Sequence, residues 1–173
     1  STSSSSSTST STTSSTTTTT TPGGTCTGPT RTVSGQQTSQ YRATLTNETV
    51  TARGAAWLGV SDYPVTINAT NSCWNGGTII GTWLPSVPWS TIHGTGAFNL
   101  KPGPNSTVSN VNVQTTGDAF RTEGGNGFTF NGNRATDVRD DLLEADHLNG
   151  GTFADNYGEA YVAFSADPYS STI

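Results

Sequence analysis

The chain holds 173 residues, 30% hydrophobic and 11% charged, with a net charge of −5 and a pI near 4.7. Its seven Lys and Arg do not cluster, which argues against a nucleic-acid backbone as partner. No stretch approaches the ~18–20 consecutive apolar residues of a membrane span, and few good helix formers beside much Thr, Asn and Gly predict an all-β protein.

The first 21 residues are all Ser or Thr. Such a tract cannot bury apolar surface, so residues 1–40 are expected to be a disordered or glycosylated linker or stalk, and 41–173 the folded domain. The chain has neither an initiator Met nor a signal peptide, so a processed product or a fragment is expected. Asn47-Glu48-Thr49, Asn68-Ala69-Thr70 and Asn105-Ser106-Thr107 fit the N-glycosylation pattern. Tract and triplets together predict an extracellular or cell-surface location. Cys26 and Cys73 allow two readings: a bridge from the tract to the first core segment, or a buried Cys73 with a free or intermolecular Cys26. Neither has a second Cys or a His at metal-ligand spacing.

Further along, the chain repeats. Asn126-Gly127-Phe128-Thr129-Phe130-Asn131-Gly132-Asn133 lies 23 residues before Asn149-Gly150-Gly151-Thr152-Phe153-Ala154-Asp155-Asn156, and five of the eight positions are identical. Asn75-Gly76-Gly77-Thr78-Ile79 and Thr107-Val108 echo the block, placing Thr-plus-apolar marks at 78, 107, 129 and 152. The same register pairs Leu143 with Ala166 and Glu144 with Asp167. Leucine-rich repeats would need a Leu ladder, and propeller blades about 40 residues or more. Short alternating runs such as Val65-Thr66-Ile67, Val111-Asn112-Val113 and Phe128-Thr129-Phe130 fit a coil of strands stacked at ~4.8 Å. Asn and Gly would turn its corners, since both tolerate left-handed backbone. An irregular β-sandwich is the structural alternative.

Over residues 43–169 this rung pattern resembles the right-handed parallel β-helix of the pectin-lyase-like superfamily. The resemblance implies a solenoid of ~23-residue rungs. With the chain ending about 20 residues after the last mark, further rungs beyond Ile173 are expected.

Ten of the twelve acidic residues lie from Asp118 onward, five of them within Asp137–Asp146. The 23-residue step stacks Asp118 under Asp141, Arg121 under Glu144 and Glu123 under Asp146. Arg121–Glu144 reads as a neutralised surface ladder, worth under ~1 kcal/mol. Two stacked aspartates instead repel unless a cation, a shared proton or Arg139 relieves them, an arrangement common at functional sites.

Asp140-Asp141, about a rung after Thr116-Gly117-Asp118, resembles the paired motifs of polygalacturonases. That resemblance implies catalytic roles for Asp118, Asp140 and Asp141, as general acid and in water activation. Gly158-Glu159 stands where that family has Gly-His, and no R-I-K follows; His147 lies too close to the doublet to replace the missing His. Lyases on the same fold hold Ca²⁺ against a uronate, and Asp137, Asp140, Asp141 and Glu144 supply suitable hard oxygen ligands. Arg139 or Arg121 would then be the base, a role that a normally protonated guanidinium fills only when strongly perturbed.

Of four Trp, Trp83 and Trp89 fall in a loop-like excursion, Trp83-Leu84-Pro85-Ser86-Val87-Pro88-Trp89, where they either stack on sugar or cover the coil. Trp83, Trp89 and Arg139 are thus the candidate substrate-binding residues. The expectation is a secreted β-helix that binds and degrades polysaccharide, pectin- or uronan-like, by lyase or hydrolase chemistry. The alternative is a non-catalytic adhesion module on a Ser/Thr stalk.

Overall fold

The computed structural model describes residues 26–146 and 150–167. Fourteen strands and one short helix build a parallel β-solenoid of about six turns, with three faces. The first face stacks β2 (Tyr41–Thr46), β4 (Val65–Thr70), β7 (Gly96–Pro102) and β10 (Asp118–Glu123), then the C-terminal ends of β12 (Arg134–Asp146) and β14 (Tyr157–Asp167). The second stacks the starts of β1 (Thr30–Gln37) and β3 (Thr49–Leu58) on β5 (Cys73–Asn75), β8 (Ser106–Ser109), β11 (Phe128–Asn131) and β13 (Gly151–Ala154). The third takes the ends of β1 and β3, then β6 (Thr78–Ile80), β9 (Asn112–Thr116) and the starts of β12 and β14.

Alternation along each strand sends apolar columns from every face into the coil. The second face contributes Val50, Trp74, Val108, Phe130 and Phe153 in register. The third contributes Trp57, Ile79, Val113 and Ala135, and the first Val65, Phe98, Phe120 and Leu143. Trp57 and Trp74 are therefore core residues, within ring contact of one another. Corners fall on left-handed residues, among them Asn71, Asn105 and Asn110. The closing Asn of the repeat block forms a buried ladder: Asn133 accepts from the Val111 amide, and its side-chain amide donates to the Val108 carbonyl and to Asn156.

Three expectations need correction. Thr107, Thr129 and Thr152 stack, but the residue beneath them is Cys73, with Trp74 in the apolar place. Thr78 lies on the third face, against Ala56 and Asn112, because Gly76 and Gly77 turn the corner before it. The step of 23 also fails in the last turn. Arg134 meets Tyr157, but two bulges in β12, with Asp137 at φ 54°, absorb two residues. Leu143 then meets Phe164, and Glu144 meets Ser165 rather than Asp167. Finally, the coil takes in residues assigned to the linker: β1 pairs with β3, and Val33 packs against the core. The open question about the cysteines is settled by a Cys26–Cys73 disulfide.

Candidate functional site

The acidic residues gather where the third face turns into the first. Asp118 opens β10 just after Gly117, and its amide donates to the Thr95 carbonyl one turn below. One turn above, β12 runs round the same corner, and the amide of Asp140 donates to the Gly117 carbonyl. The amide of Asp141 donates to Asp118 Oδ1 at 3.2 Å, so the expected stacking of the two is present. One carboxylate oxygen from each of Asp118, Asp140 and Asp141 lies within 4.8 Å of the other two, and all three residues are buried.

Such a group cannot hold three full charges away from water. Burial, with the Glu144 carboxylate beside it, pushes the Asp118 carboxyl up to about 8. Asp141 and Glu144 are pushed up as well, chiefly by burial. Tyr63 donates its hydroxyl to Asp118 Oδ2 at 3.1 Å. Its ring reaches that position because Gly96 lies beneath it, where a Cβ would stand 2.6 Å from Tyr63 Cε1. Ser165 donates to Asp141 Oδ2 at 2.9 Å, whereas the buried Asp141 Oδ1 has no hydrogen-bond partner among the described residues.

Arg121 stands on the outer side of this cluster and is more than a surface rung. It pairs with Asp146 at 2.6 Å and Glu144 at 3.2 Å, and donates to the Tyr63 hydroxyl. Although burial works against its charge, Tyr63 and these carboxylates hold the guanidinium protonated. Glu123 pairs with Lys101 at 2.8 Å.

The excursion between β6 and β7 supplies the other wall. A single helical turn, α1 (Trp89–Ile92), ends at His93, whose Nδ1 lies 3.3 Å from Asp140 Oδ2 and whose ring lies tilted on Trp89 with centroids 4.3 Å apart. Trp89, Val138, Arg139 and Tyr161 line a cleft of about 740 Å³. Arg139 donates to the carbonyls of Leu84, Pro85 and Val87, tying the excursion to the coil.

The candidate residues thus divide. Asp118, Asp140 and Asp141 come together, with Glu144 beside them, half-buried. Asp137 is exposed on the bulge, outside the group of three. Trp89 and Arg139 share the cleft; Trp83, half-buried, is not among its lining residues. His147 lies outside the described residues. Tyr63, His93 and Ser165 were not among the candidate site residues. Ser165 was discoverable only with the bulges placed, while Tyr63 and His93 lie 55 and 47 residues from their partners, with no motif around either.

The orphaned, buried Asp141 Oδ1 and two neighbouring carboxylates suit a hard cation, which would displace the proton from Asp118. Fold and corner together define a parallel β-solenoid with a buried carboxylate cluster beside an aromatic cleft. No family model, curated protein or solved structure gives a significant match to the chain.

Proposed function

We propose that this protein is a polysaccharide-binding β-helix that hydrolyses glycosidic bonds, with Asp118, Asp140 and Asp141 as the acid–base group. The observation that carries this reading is the convergence of three buried carboxylates at one corner, joined through His93 to the aromatic cleft. Glycoside hydrolysis requires one carboxyl that is protonated at neutral pH and another that is ionised. In this reading Asp118, neutral below about 8, holds the proton. Asp140, against His93, activates water. Lyase chemistry has less support, because neither arginine named as its base is free for that role. The guanidinium of Arg139 is turned onto three carbonyls, and Arg121 is held protonated. If Ca²⁺ binds, Asp118, Asp140 and Asp141 are its ligands, and the ion would supply charge neutralisation at the corner. A disulfide and a Ser/Thr tract support an extracellular or cell-surface setting.

The test is release of reducing ends from a panel of neutral and acidic polysaccharides by the full chain, beside Asp140→Asn. The expected result is release from at least one polymer without unsaturated ends, lost in the variant. Unsaturated ends would make it a lyase. Binding without any cleavage would favour the adhesion module, and activity unchanged in Asp140→Asn would remove the cluster from the chemistry.

A further inference from the structure

We infer that the Trp89 cleft receives a neutral sugar chain, not a uronate polymer. The inference rests on the polysaccharide reading above and narrows its substrate class. A polymer with a carboxylate on every ring needs a cation with donors to spare. Among the described residues lining the cleft, Arg139 is the one cation, and both its terminal nitrogens are turned onto the carbonyls of Leu84, Pro85 and Val87, at 2.7 to 3.3 Å. Three of its five N–H groups are spent on holding the excursion, so an incoming carboxylate meets a guanidinium already shared with the protein's own carbonyls.

The other cations near the corner are also engaged. Arg121 faces Asp146 and Glu144, and Lys101 faces Glu123. Apart from Arg139, the ionic neighbours of the cleft are carboxyl groups: Asp140 meets His93, which lies on Trp89, and oxygens of Asp118 and Asp141 lie within 4.8 Å of an Asp140 oxygen. A uronate would meet like charge there, a repulsion the low-dielectric wall strengthens.

A neutral ring meets none of this. Trp89 is 50% exposed and Tyr161 83%, and with Val138 they offer ring faces and apolar surface against which sugar C–H groups pack. Aromatic platforms beside an acid–base group suit a chain recognised by its faces and hydroxyls, as a neutral polysaccharide is.

The test is affinity electrophoresis of the full chain through gels containing xylan, β-1,3-glucan or galactan, against polygalacturonate and alginate. Retardation by at least one neutral polymer and by neither acidic one is expected. Trp89→Ala should weaken it about tenfold and Trp89→Phe much less. Indole fluorescence of the unaltered chain should shift on titration with that polymer, a readout that does not depend on any variant folding. Stronger retardation by polygalacturonate or alginate would overturn the inference while leaving the polysaccharide reading intact. Retardation by no polymer would overturn both. Neutral binding that Trp89→Ala leaves unchanged would place the sugar elsewhere.

Discussion

Asp118 binds its proton more tightly in the folded chain than in the unfolded one, because burial and Glu144 disfavour its charge. Its contribution to stability is therefore complete below about pH 4 and is lost as pH rises through about 8. Asp118→Asn keeps an acceptor for the Asp141 amide and abolishes the titration. Urea midpoints measured from pH 4 to 9 should decline less steeply in the variant, which should be the more stable of the two at pH 9. Arg121 carries the opposite expectation. Its side chain is 24% exposed and faces Asp146 and Glu144, so Arg121→Ala leaves two carboxylates uncompensated. A loss of about 1–3 kcal/mol in chemical denaturation is expected, above the sub-kcal cost of an exposed rung. The sequence register already stacked Arg121 beneath Glu144; Asp146 and the Tyr63 hydroxyl were hidden because one is a diagonal neighbour and the other arrives from a distant turn.

At the level of strands, the repeat block explains the rank of the core positions. Phe130 lies between Val108 and Phe153 in the second-face column and is fully buried, with Phe120 and Phe128 also in ring contact. Phe130→Ala should cost about 3–5 kcal/mol in thermal or chemical unfolding. Phe153, half-buried one turn above, should cost less, about 1–3 kcal/mol, because part of its surface already meets water. Equal losses would mean that the outer turn is packed as tightly as the inner one. Identity between residues 126–133 and 149–156 made this column legible, since a stacked coil repeats its corners and its core together. Where the corner chemistry changed, legibility ended. Cys73 replaces Thr on the second face, and β12 bulges beside Asp137. No period can announce an inserted residue before its partner strand is known.

Across the whole molecule, stability is a sum over neighbouring turns, and the first two of them are locked. The Cys26–Cys73 disulfide closes a span of 47 residues, worth about 4 kcal/mol on the chain-entropy model. Reduction should lower the denaturation midpoint, and limited proteolysis under reducing conditions should cut first within the turn that holds β1 and β2. A midpoint insensitive to reductant would mean that parallel pairing of β1 with β3 holds that turn unaided.

Among the described residues all of the strand pairing is parallel and every ladder runs along one axis, which gives the molecule a mechanical direction. Tension applied along that axis loads the interstrand bonds a few at a time, so turns peel away singly at low force. Tension across it would load a whole ladder in shear. The disulfide adds a stop. Residues between Cys26 and Cys73 are withheld from the extended length however hard the ends are drawn, so a protein tethered through its Ser/Thr tract would lengthen from its distal turns and keep its two proximal turns closed.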